Sequence, residues 1–161
     1  MTKPIKKIMV YIDGTEQSIT AARYAICLAS FSGAEIIAHY VVNTKAMDDL
    51  LKARIFLQDE ELEYERDMKA DAQRYLNYVS ELASQKGVSV IKKISSGNVH
   101  KEIIDSINKD DIDLLVIGEL SRIRSRRDEF YDEAERAMHS VLCSVLIVKD
   151  PDRVIELFES M

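Results

Sequence analysis

Residues 113–121 read DLLVIGELS, in which four consecutive apolar residues, 114–117, end on Gly118. A run this short, apolar at every position rather than at alternate ones, suits a strand buried on both faces, and such strands belong to parallel sheets covered by helices on each side. The flanks agree. Upstream, Asn98 stands where a helix cap is expected, and Val99, Ile103 and Ile107 follow at helical spacing. Before them residues 88–94 (VSVIKKI) read as a strand broken by Gly97-Asn98. Downstream, Phe130, Ala134, Ala137 or Met138, and Val141 mark another helix, and residues 144–148 (SVLIV) a further strand.

The first half repeats this alternation. Residues 7–12 (KIMVYI) form a short apolar run ending in Asp13-Gly14-Thr15. Ile19, Ala22, Ile26 and Ala29 then recur at helical spacing, with Ala25 and Leu28 widening the stripe; Thr15 or Ser18 caps the start and Gly33 closes the end. Residues 36–42 (IIAHYVV) give a second strand. Leu62, Met68, Ala72, Tyr75, Leu76, Val79 and Leu82 mark one face of a long helix that stops at Gly87. Residues 43–58 read equally well as a loop or as an extension of that helix. The expected fold is therefore α/β: an open, doubly wound, five-stranded parallel sheet with helices on both faces. It occupies residues 1–149, and residues 150–161 form a short helical extension. There Asp150 caps, Pro151 takes the first helical position, and Val154, Leu157, Phe158 and Met161 line one side. A helix that short needs a surface to pack on, its own domain or a partner subunit.

Composition narrows the function classes. The chain has 161 residues, 47% hydrophobic and 31% charged, with a formal net charge of −6, which fits a globular domain and disfavours nucleic acid as a partner. No apolar run is long enough to span a bilayer. The first residues pass directly from basic positions into a strand with no signal-peptide pattern, and Cys27 and Cys143 read as buried thiols without metal or CxxC spacing, so a cytoplasmic location is expected. His39, His100 and His139 are too scattered to nominate a metal site.

In open α/β sheets ligands bind beyond the carboxyl ends of the strands. Those ends are here Asp13-Gly14-Thr15, Val41-Val42-Asn43, Ser95-Ser96-Gly97-Asn98 and Gly118-Glu119-Leu120-Ser121. The chain also resembles the universal stress proteins over nearly its whole length. The shared features are Asp13 with Gly14-Thr15 after the opening strand and Ala21, Ala22 and Ala25 in the helix after it. Further on come Gly97, DLLVIG at 113–118 and AERAMHSVLCSVLIVK at 134–149; the family typically reads aDLIVmG and AERVLRHAPCPVLVVK at the last two. The resemblance implies a homodimer, in many members formed through the fifth strand, here Ser144–Val148, to which the C-terminal helix could add. It also implies a nucleotide site in which the position of Asp13 contacts adenine or ribose and the backbone near Val41 contacts adenine.

The family's ATP-binding members carry Gly, two residues, Gly, nine residues, then Gly and Ser or Thr. Laid on this chain, Gly118 matches the first glycine, Ser121 replaces the second, Tyr131 the third, and Asp132 the hydroxyl residue. Phosphate cradles use bare backbone N–H groups and positive φ, which side chains at these positions oppose. Asp132 near a helix N-terminus would occupy the dipole phosphate needs. A like charge about 4 Å from phosphate costs on the order of 4 kcal/mol at an effective dielectric near 20, roughly a thousandfold in affinity. The expectation is a non-enzymatic module with no cofactor, acting through an unidentified protein partner, with no ATP bound in the family's usual mode. An alternative has Arg122, Arg124, Arg126 and Arg127 clasp an anion beside Asp13 and Gly118. A response-regulator receiver is disfavoured because the first turn has only Asp13 and no acceptor aspartate follows the third strand. An ATP-dependent pyrophosphatase or nucleotidyl transferase is disfavoured because DGTEQS at 13–18 is not its SGGxDS motif.

Overall fold

A computed structural model of the chain describes residues 2–53, 58–120 and 129–161. Its elements run β1 (Lys7–Ile12), α1 (Glu16–Ser32), β2 (Glu35–Val42), α2 (Thr44–Lys52), α3 (Gln58–Gln85), β3 (Val90–Ser96), α4 (Val99–Lys109), β4 (Leu114–Gly118), α5 (Glu129–Ser140), β5 (Ser144–Val148) and α6 (Pro151–Glu159). The five strands form one parallel sheet in the order β3-β2-β1-β4-β5. The chain winds outward from β1 to β3, then returns to the other side of β1 for β4 and β5. The switch point thus lies between β1 and β4, where the fold opens a crevice at the carboxyl ends.

Two apolar layers flank the sheet. Ile8, Val10 and Ile12 of β1 point to one side with Ala38 and Val42 of β2, where α1, α3 and α6 cover them. Met9 of β1 and Ile37 and Val41 of β2 point to the other, against Val99, Ile103 and Ile107 of α4 and Ala137 of α5. Strand alternation does this: successive side chains face opposite ways, so a run apolar throughout serves two cores. Ala21, Ala22, Ala25 and Ala29 are all buried, and their small side chains let α1 lie close to the strands. Asp113, the first letter of the DLLVIG stretch, has a structural task. Its Oδ2 accepts the N–H groups of Lys6 and Lys7 at 2.8 and 3.0 Å, latching β1 to β4, and these two bonds hold its carboxyl below the usual carboxylate range.

The structure revises four expectations. β3 begins at Val90, not residue 88, because the Val88 N–H donates to the Ala83 carbonyl at 2.9 Å and closes α3. Its pairing with β2 then runs from Ile36–Val90 to Val42–Ser96. Within residues 43–58, Thr44–Lys52 form a helix, α2, so the segment is not a plain loop, while residues 54–57 lie outside the described residues. On α6, Val154 and Phe158 are buried against the domain, while Leu157 and Met161 are exposed. In a helix of 100° per residue, positions four apart stay on one line and the third, Leu157, falls to the flank, while Met161 lies past the end of α6. The extension therefore packs on its own domain, with Lys86 Nζ 4.8 Å from the Phe158 ring centre and donating to the Met161 carbonyl at 3.2 Å. Finally, Cys27 and Cys143 are half-buried rather than buried. Burial raises both thiols, against the activation a nucleophile needs.

Candidate functional site

Asp13 leaves β1 at the switch point, and its carboxylate turns back on its own chain. Oδ1 accepts the Thr15 N–H at 3.0 Å and the Thr15 hydroxyl at 2.5 Å. Thr15 is the N-cap of α1: its hydroxyl accepts the Ser18 N–H at 3.2 Å, and the Ser18 hydroxyl donates to the Thr15 carbonyl at 2.8 Å. Of the two cap candidates, Thr15 holds the position and Ser18 supports it. Replacing Thr15 by alanine is expected to cost about 1 kcal/mol, read as a lower urea midpoint at unchanged slope; an unchanged midpoint would refute the cap.

Gly118 closes β4 opposite this turn. A Cβ there would lie 2.4 Å from the carbonyl oxygen and 2.5 Å from the carbonyl carbon of Gln17. Both are backbone atoms of the first turn of α1, which cannot swing aside. Gly118 is thus required by the close approach of α1 to β4, whatever ligand is bound. Gly14, at φ 82°, supplies the left-handed turn before α1, and the Tyr75 ring lies across it. Tyr75 in turn stacks on Tyr40 at 6.4 Å between ring centres.

Asp13 and Gly118 come together on a small cleft of about 40 Å³, whose other walls include Tyr11, Ser18 and Leu120. Val41, whose main chain the resemblance sets against adenine, lies near the end of β2 with its side chain buried in the core facing α4. Ser121, Arg122, Arg124, Arg126 and Arg127 lie outside the described residues. Tyr131 and Asp132 fall in the first turn of α5.

Sequence reasoning missed a polar cluster beside this cleft. The His100 N–H in the first turn of α4 donates to Glu133 Oε2 on α5 at 3.2 Å, and His100 Nδ1 hydrogen-bonds the same oxygen. Arg136 Nη1 lies 3.5 Å from Glu133 Oε1. Burial works to raise the Glu133 carboxyl, but the two bonds from His100 and the nearby charges outweigh it and hold the group below its usual range. Tyr11 stands close by; burial first, then the charges of Asp13 and Glu133, push its phenol far above its ordinary value, so it stays protonated. The two partners are 33 residues apart, and only the packing of α4 beside α5 unites them. Among the described residues no group of three His, Cys, Asp or Glu gathers to hold a metal ion, and no helix is long and apolar enough to cross a membrane.

An open doubly wound sheet in the order 3-2-1-4-5, with its crevice between Asp13 and Gly118, defines a class of α/β domains that the comparisons narrow to one family. Residues 4–149 match the universal stress protein family, and the chain belongs to it. A universal stress protein of Methanocaldococcus jannaschii, MJ0531, is 30% identical over 148 residues, which are 92% of this chain and 84% of that one. Among solved structures, universal stress protein UspA from Lactobacillus plantarum superposes with a TM-score of 0.71 at 20% identity, covering 92% of this chain and all of that one. A family member from Arabidopsis thaliana, solved with AMP bound, gives 0.65 at 16% identity, covering 92% and 94%.

Proposed function

We propose that the chain is a non-catalytic regulatory member of its family, acting as a homodimer through protein contacts, with a nucleotide site too degenerate to hold ATP. One observation carries this reading. The two family positions that survive at the crevice are committed to internal structure, Asp13 to the Thr15 cap and Gly118 to the backbone of Gln17. Ser121, Tyr131 and Asp132 replace the remaining phosphate-binding positions.

The two sheet edges support a dimer through β5. β3 carries Lys92 and Lys93, charges that discourage edge-to-edge pairing. β5 reads SVLIV with no charge, Ile147 is partly exposed on it, and Leu142 just before it is 95% exposed. Sedimentation should give a dimer, and Ile147→Lys should shift it toward monomer; a wild-type monomer at high concentration overturns the assembly.

The AMP complex of the Arabidopsis relative favours a second reading, in which Asp13, Gly118 and the arginines 122, 124, 126 and 127 hold a nucleotide or other anion. Thermal denaturation with ATP, AMP or polyphosphate at about 5 mM separates the two, because a ligand of the native state must raise its midpoint. No shift is expected. A rise of several degrees, or ATP carried through purification, overturns the degenerate-site reading.

A further inference from the structure

On the α1–α3–α6 side of the sheet lies a second cleft, of about 610 Å³, separated from the Asp13–Gly118 crevice by the first turn of α1. Its size is that of a small-molecule site. Its far wall includes Pro151 and Ile155 of α6, a helix that lies beyond the family match at residues 4–149.

Four charges line this cleft: Glu16 and Glu119, Arg23 and Lys149. Among the described residues none of the four is ion-paired. Arg23 spends one Nη2 contact on the Tyr78 hydroxyl, at 3.3 Å, and keeps further donors. A simple anion entering here would meet two carboxylates, and a simple cation two bases. A molecule carrying one charge of each sign finds an opposite charge for each. The rest of the wall suits an apolar body: Ile19 and Val148 are buried side chains at its floor, Ile155 is half-buried, and the exposed Tyr78 ring borders it, while the Tyr75 ring is already engaged by Tyr40 and Arg74.

We propose that this cleft binds a small zwitterion of the amino-acid or dipeptide class with an apolar side chain. Its ammonium lies toward Glu16 and Glu119 and its carboxylate toward Arg23 and Lys149, where guanidinium and carboxylate pair through parallel hydrogen bonds. The site would let the chain respond to free amino acids or peptides without using the family's nucleotide crevice.

The test titrates the full chain with L-leucine, L-phenylalanine and the dipeptide Leu-Phe, each beside its N-acetyl and carboxamide forms, by calorimetry. At least one zwitterion is expected to bind with a Kd of about 1 mM or tighter, and blocking either end should weaken it at least about tenfold. Lys149→Glu, at an exposed position, should weaken binding by a similar factor while leaving the ligand-free thermal midpoint in place. Ile155→Trp should block the cleft; if that variant fails to fold, Lys149→Glu alone decides. Binding of leucine or phenylalanine as tightly as Leu-Phe marks the amino acid as the ligand, and the reverse marks the dipeptide. No zwitterion bound at about 10 mM, blocked forms bound equally well, or Lys149→Glu bound as well as the parent overturns the proposal. None of these results bears on whether ATP or AMP binds at Gly118.

Discussion

Gly118→Ala is expected to lose about 3 kcal/mol of stability, the upper part of the range for overpacking, because the new methyl meets main chain rather than a side chain that could turn away. At 2.4 Å from the Gln17 carbonyl oxygen, the methyl forces α1 off the end of β4. Moving α1 disturbs the alanine face that seats it and the cap made by Asp13 and Thr15. For a chain of this length the loss lowers the thermal midpoint by roughly 6–12 °C. It should appear in the complete absence of nucleotide, which separates a packing role from a phosphate-binding one. An alanine variant that melts within about 2 °C of the parent would mean that α1 does not approach β4 as described.

The second large effect is a dependence of stability on pH set by His39. This side chain is fully buried on β2, on the face that packs against α4. Its Nε2 lies 2.7 Å from the Ser95 hydroxyl, and its Nδ1 has no hydrogen-bond partner. The neutral ring that carries its proton on Nε2 and donates to Ser95 leaves only a bare acceptor buried, the cheaper arrangement. Burial, with the Lys93 ammonium adding and Asp110 opposing, pushes its pKa down to about 4. The unfolded chain takes up this proton below about pH 6.5, whereas the folded chain resists until near 4. Protons thus favour the unfolded state across that window. The stability present above pH 6.5 is lost as pH falls and levels off near 4, for a total of about 3 kcal/mol from this group. Urea unfolding at a series of pH values should show the slope. His39→Gln, which does not titrate, should flatten the difference between pH 6.5 and 4. Parallel curves for parent and variant would mean that the ring reaches solvent.

The sequence-level reading recovers the sheet because its signals are local. Apolar runs at 7–12, 36–42, 114–117 and 144–148, each bounded by a turn residue, coincide with strands, and helical spacing finds α1, α3, α4 and α6. The start of β3 is legible only with its neighbours: Val88 is as strand-like as Val90, but its N–H is taken by the end of α3. The crevice was half legible. Asp13 and Gly118 are both strand-end residues and meet at the crevice, yet the atoms each one faces, Thr15 and the Gln17 carbonyl, appear only when α1 is placed on β4. His100 and Glu133 had no signal at all, since no periodicity links the first turn of α4 to α5. The same holds for Lys149 and Arg23, which share a cleft across 126 positions of sequence.

The lysines of β3 set a limit on growth. If two copies join through β5, the uncharged rim of each is consumed, and the ten-stranded ribbon so formed ends on both sides in Lys92 and Lys93. Further copies would have to bring the Lys92 ammonium of one edge against that of another to extend it, since Lys93 is held by Asp110. Were the chain to assemble through β5, growth by that route would stop at two, held there by which strand lies outermost rather than by any added cap.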